Sequence, residues 1–284
     1  TRAFLDGFTR LTVPIQDADG TPAWPERFPA AAILELARRS GPNAFASQML
    51  LQPVNAAEGR LDPARLRRYA AELAYSEGNE EAVLSLLGER LVAAACWWDP
   101  AYGAPGRGDA SVIAAVFLDA AGNAYLHRIR YLSHDPGASA EVDEATQLCR
   151  QAARFARDLY LPSISLEVNG LGRFLPGLLR RELAAGGVPA AVREVTSRRP
   201  KDIRILEAFD APLAAAALHA HASVFATPFV QEMRDWRPGL AHARDDGLDA
   251  VAGCLASEPV RLPRLPTAGR RTWRPGAGGI HAPS

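Results

Sequence analysis

Ile164, Leu166 and Val168 alternate with Ser163, Ser165 and Glu167, and the run stops at Asn169-Gly170. A period of two marks a strand with one apolar face. Behind it, Arg173, Phe174, Leu175, Leu178, Leu179, Arg180 and Leu183 recur at helical spacing. Strand, tight turn and helix together are the unit of parallel α/β sheets. In front, Glu141 to Tyr160 carries Val142, Ala145, Leu148, Ala152, Phe155 and Leu159 on a helical stripe, and Pro162 separates it from the strand. A helix of that length between two strands returns the second parallel to the first, by a right-handed crossover. Glu167 then stands near the carboxyl end of its strand, where open α/β sheets put their ligands.

Two further acidic positions answer to Glu167. The apolar run from Leu91 to Trp98 is closed by Asp99 and stopped by Pro100, which predicts a buried central strand with an acid at its carboxyl end. Arg244-Asp245-Asp246-Gly247-Leu248-Asp249 opens an apolar helical pattern. Either Asp245 or Asp246 suits its N-cap, and Asp246 and Asp249 share one side of its first turn. Between these sites lie a second strand (Ala110 to Asp119), a hairpin turn at Ala121-Gly122-Asn123 and a third strand (Ala124 to Leu132). After the Glu167 strand come a helix from about Arg173 to Ala185, a short strand from Ala191 to Val195 and a helix from Lys201 to Ala217. The expected fold is α/β, a mixed sheet of a three-stranded antiparallel meander plus parallel strands, flanked by helices. Neighbouring strands lie roughly 4.8 Å apart, so Asp99 and Glu167 end side by side, and the helix near Asp246 brings a third carboxylate over them. Such a cluster either raises its pKa values or binds a cation. Oxygen-only ligands favour Mg²⁺ or Mn²⁺, and two such ions about 3.5–4 Å apart serve phosphodiester hydrolysis.

Among the 284 residues, 32 basic side chains balance 32 acidic ones, so any hold on a polyanion must be local. Lys201 is the sole lysine; with Arg198, Arg199 and Arg204 it forms a run at a helix start that suits DNA phosphate, or merely a solvated face. Cys96, Cys149 and Cys254 lie far apart in apolar surroundings and read as reduced core residues. No run reaches the ~20 apolar residues that span a bilayer, so the expectation is a cytoplasmic protein with no membrane partner. Residues 1 to about 90 read as a helical arm: one helix with Ile33, Leu34 and Leu36 stopped by Ser40-Gly41-Pro42, a second near Phe45, a third from Asp62-Pro63, and a fourth over Asn79 to Leu87. Residues 91–258 form the strand-bearing domain, and 259–284 a Pro/Gly/Arg-rich tail expected to be disordered.

Asp99 in Trp97-Trp98-Asp99-Pro100, Glu167 in Leu166-Glu167-Val168-Asn169-Gly170 and the helix start at Asp245-Asp246-Gly247-Leu248-Asp249 resemble, in order, the acidic motifs of the nuclease domain of large terminase subunits of tailed phages. The stretch from Trp24 to Val54 resembles the end of the packaging ATPase leading into that nuclease, and Lys201-Asp202-Ile203-Arg204-Ile205 the basic helix start before the last acidic motif. The resemblance implies an RNase H-like fold and a two-metal endonuclease cutting double-stranded DNA during viral genome packaging. It further implies Asp99, Glu167 and Asp246 as catalytic, with Asp245 and Asp249 as further metal ligands. DNA, the portal protein, the small terminase subunit and an ATPase portion are the implied partners, in the host-cell cytoplasm of a phage or prophage. Two departures stand out. Arg244 occupies the place where the family commonly has histidine, His242 lying two residues earlier, and no Gly-x-x-x-x-Gly-Lys-Ser/Thr phosphate loop is found, so no ATPase activity is expected. Rival readings are another RNase H-like nuclease of resolvase or transposase type, and a non-catalytic DNA-binding module of a packaging motor. Singly, each acid also has a plain reading, as turn, surface or capping residue.

Overall fold

The structure is a computed structural model that describes residues 11–17, 19–52, 61–78, 81–101, 110–168, 174–196, 199–239, 244–262 and 265–266. Two helices, α1 (Ala30–Ser40) and α2 (Pro42–Gln48), come first, hinged at Gly41. Gly41 has φ +80°, and a Cβ there would lie 2.6 Å from the backbone nitrogen of Ala211, so glycine lets the arm close onto the helix that carries Ala211. A 3₁₀ turn at Pro63–Arg65 leads into β1 (Arg67–Tyr69), β2 (Ala74–Gly78), β3 (Glu81–Leu86) and β4 (Glu89–Asp99).

The helix expected over Asn79 to Leu87 is therefore strand β3, and the third expected helix is a single 3₁₀ turn. The physical reason is burial at a period of two. Leu84 and Leu86 are buried while Val83 and Ser85 are half-buried, and Leu87 and Gly88, both at positive φ, make the two-residue hairpin into β4.

Next come β5 (Ser111–Asp119), β6 (Ala124–Leu132), α3 (Glu144–Asp158), β7 (Ser163–Glu167), α4 (Leu175–Ala185) and β8 (Ala191–Val195). These are followed by α5 (Lys201–Ala214), β9 (Leu218–His221), α6 (Phe229–Asp235) and α7 (Asp246–Ala256). The order at the centre of the sheet is β6-β5-β4-β7-β8, with β4, β5 and β6 antiparallel and β7 and β8 parallel to β4. A three-strand meander extended by two parallel strands on the side of its first strand is the RNase H-like arrangement. β9 adds to β6 and β1 to β9, both parallel. At the start of the tail, β10 (Val260–Arg261) pairs with β4 and β11 (Leu265–Pro266) with β3. Ala93 and Ala94 lie past the end of the β3 pairing and before that with β7, so the β4 edge there is open to β10.

Both sheet faces are covered. Ala94, Cys96, Trp98, Ile164 and Leu166 pack with Leu148, Phe155 and Leu179 beneath α3 and α4. Ala95, Trp97, Val112 and Leu126 pack with Phe209, Phe229, Leu248 and Val251 beneath α5, α6 and α7. The three cysteines are free and buried. Among the described residues, no helix is long and apolar enough to cross a membrane.

Candidate active site

Strand alternation sends Trp97 toward α7 and Trp98 toward α3, so Asp99, two residues past Trp97, joins Trp97 on the α7 face. On β7, Ile164 and Leu166 take the α3 face and leave Glu167 to the other. The register pairs Trp97 with Ser165 and Trp98 with Leu166, which sets Asp99 beside Glu167 on one face at one sheet edge. α7 lies across that face. Its fit depends on Gly253, where a Cβ would stand 2.3 Å from the Trp97 ring. The first turn of α7 presents Asp246 and Asp249, both buried.

Two cations from α5 lie among these acids. The Lys201 ammonium is 2.6 Å from Asp245 Oδ1, 3.7 Å from Asp249 Oδ2 and 4.0 Å from Asp246 Oδ1. The Arg204 guanidinium donates to Asp249 Oδ2 at 2.6 Å and to Glu167 Oε2 at 3.4 Å. Asp246 Oδ2 accepts from the backbone N–H of Ala110 at 2.9 Å, which ties the start of α7 to the start of β5.

Burial pushes the Asp99 carboxyl up to about 7; the Asp249, Glu167 and Asp246 carboxylates push the same way, and Lys201 opposes them. Asp249 is also raised, by burial, against the pull of Arg204 and Lys201. For Lys201, burial works against the charge, yet Asp245, Asp249 and Asp246 outweigh it and hold the ammonium above its usual range. The site thus concentrates more negative charge than its two cations offset. Its donors are carboxylate oxygens, hard ligands that suit Mg²⁺ or Mn²⁺ rather than zinc. Among the described residues no three His, Cys, Asp or Glu side chains form a ready metal cage, and Lys201 and Arg204 stand between the acids.

No protein-family model matches the chain, and no curated protein matches it. Among solved structures, it is similar to the human cytomegalovirus terminase nuclease domain, with 12% identity and a TM-score of 0.43, covering 56% of this chain and 80% of that one. It is also similar to the nuclease domain of the large terminase subunit of bacterial virus Sf6, with 11% identity and a TM-score of 0.42, covering 58% of this chain and 89% of that one. A mutant of that Sf6 domain with manganese gives 12% identity and a TM-score of 0.40. The strand order, and not these overlaps, defines the fold of this chain.

All five acids singled out in the sequence thus meet at one place. The basic run divides: Lys201 and Arg204 turn inward among the acids, whereas Arg199 is exposed and pairs with Glu207 at 2.6 Å. Arg198 and His242 lie outside the described residues, as do the loop residues Arg107 and Asp109. Asp245 takes the N-cap position of α7 without a side-chain capping bond. That task falls to Glu232 of α6, which the sequence reading missed. Its buried carboxylate accepts from the Leu248 N–H at 3.2 Å and from the Tyr131 hydroxyl at 2.7 Å. The available signal was an acid on the apolar stripe of Phe229, Met233 and Trp236, at spacings where a surface helix carries no charge.

Proposed function

We propose that this chain is a metal-dependent endonuclease that cuts double-stranded DNA during viral genome packaging, in the manner of a terminase large-subunit nuclease. The observation that carries the reading is the convergence of Asp99, Glu167, Asp246 and Asp249 at the carboxyl ends of β4 and β7, beneath the first turn of α7. The order of acidic motifs along the chain supports it as well.

Asp99, Glu167 and Asp246 would hold the ions, with Asp249 and Asp245 as further ligands. Two divalent ions in such a site supply a nucleophilic water and stabilise the leaving oxygen of a phosphodiester. The chain's own residues do the rest. The two strand ends hold Asp99 and Glu167 at a fixed spacing, and Glu232 fixes the α7 turn that carries Asp246. Lys201 and Arg204 offset the charge of the acids before metal loading and then lie ready to meet a backbone phosphate, alongside Arg198 and Arg199. Residues before about 90 are proposed as an arm leading from an ATPase portion, 91–258 as the nuclease, and 259–284 as a tail. Portal protein and small terminase subunit are the proposed partners, in the host-cell cytoplasm.

One observation favours a second reading, a non-catalytic DNA-binding module: Lys201 and Arg204 already pair with the acids. Incubation with supercoiled plasmid in Mg²⁺, Mn²⁺ or EDTA, without nucleotide, separates the two. The nuclease reading requires nicking and linearisation in metal, none in EDTA, and loss in Asp99→Ala and Glu167→Ala at unchanged circular dichroism. A wild-type protein inert in both metals supports the non-catalytic reading.

A further inference from the structure

A cavity of about 390 Å³ lies between the arm, α5 and the end of α7. Its lining carries Arg39 from α1, Arg199 just before α5, Arg204 and the Glu207 carboxylate, with Ala208, Ala211 and Leu255 as its apolar part. This volume is within the range of small-molecule sites, and an apolar part beside guanidinium groups suits a nucleotide unit, its sugar on the one and its phosphate on the other. Arg204 is a shared wall, since the same guanidinium reaches Glu167 and Asp249 of the acid cluster. Arg199 is paired with Glu207, and Arg204 with the acids. Arg39 is exposed and makes no hydrogen bond or ion pair among the described residues, so its charge is available to a ligand. The arm is held there by the close approach of Gly41 to Ala211 and by the Ala44 N–H donating to Asp210 at 3.4 Å.

We propose that this cavity takes a phosphodiester of the DNA strand adjoining the one at the acid cluster, with Arg39 as the contact supplied by the arm. The proposal rests on the nuclease reading for the identity of its ligand. It gives the arm a part in holding substrate, and it assigns a phosphate contact outside the α5 helix start.

The test is binding in EDTA, where no cleavage is needed. Fluorescence anisotropy of a labelled duplex, titrated at several salt concentrations, compares wild type with Arg39→Gln, Arg39→Lys and, on the far side of the sheet, Arg157→Gln. Arg39→Gln should bind several-fold more weakly with a salt slope smaller by roughly 0.9, the value of one phosphate contact. Arg39→Lys should restore the slope, and Arg157→Gln should behave as wild type. Unchanged affinity and slope in Arg39→Gln would overturn the proposal, as would an equal loss in Arg157→Gln. A separate titration with dAMP identifies the source of the phosphate: saturable dAMP binding lost in Arg39→Gln, with duplex binding intact, would make the cavity a nucleotide site and sink the DNA contact. Plasmid cleavage in Mn²⁺ is scored apart. An inert protein whose duplex binding still depends on Arg39 refutes the nuclease reading and leaves the contact standing.

Discussion

The Lys201 ammonium lies 2.6 Å from the Asp245 carboxylate, with Asp249 3.7 Å away. If these acids hold a divalent ion as proposed, a cation in that position would compete with it, because both answer to the same negative charge. Lys201→Met should therefore bind Mn²⁺ more tightly than wild type by isothermal calorimetry. The same substitution should destabilise the metal-free protein by about 1–3 kcal/mol, since it removes one of the two cations that offset the crowded carboxylates. Weaker Mn²⁺ binding by Lys201→Met would mean that the lysine belongs to the metal-loaded site as well.

Glu232 should matter to the site without touching it. Glu232→Ala leaves the Leu248 N–H and the Tyr131 hydroxyl without their acceptor, at a cost of about 2–3 kcal/mol, and loosens the turn that carries Asp246 and Asp249. Burial pushes the Glu232 carboxyl up to about 7, so its contribution is present below the unfolded value near 4.5 and is lost as pH rises through 7. Glu232→Gln keeps an acceptor without the charge, and it should recover both the melting temperature and the Mn²⁺ affinity lost in Glu232→Ala. Failure of that rescue would show that the carboxyl acts otherwise than by holding α7.

What could be read from the sequence, and what could not, divides along physical lines. Asp99 and Glu167 were legible because β4 is an apolar run stopped by Pro100 and β7 an alternating one stopped by Asn169-Gly170, and a period of two fixes which face an end residue takes. The crossover helix made them parallel neighbours. The inward turn of Lys201 and Arg204 was not legible, because a helix start facing solvent and one lying over strand ends look alike in one dimension. β3 was misread because its burial comes from pairing with β2 and β4, distant information that overrides local spacing. Glu232 was hidden for a related reason: its partners, Tyr131 and Leu248, are 101 and 16 residues away.

A second polar cluster, around His127, bears on stability at low pH. His127 is fully buried, its Nδ1 3.0 Å from the Tyr69 hydroxyl and its Nε2 3.6 Å from Glu72. Burial, with Arg128 and His221 acting the same way, lowers its pKa to about 3. A depressed folded pKa means stability present above the unfolded value near 6.5 and lost as pH falls toward 3. In urea denaturation, wild type should lose roughly 2 kcal/mol relative to His127→Gln between about pH 7 and pH 5. An equal slope in both proteins would assign the loss to other groups.

Whether the acids of β4, β7 and α7 hold divalent ions is decided by diffraction from crystals soaked in Mn²⁺. Anomalous density is expected between Asp99, Glu167 and Asp246, with the Lys201 and Arg204 side chains displaced from the positions they hold among the acids. Density at other residues, or none at this edge with both cations still in place, would contradict the proposed metal site.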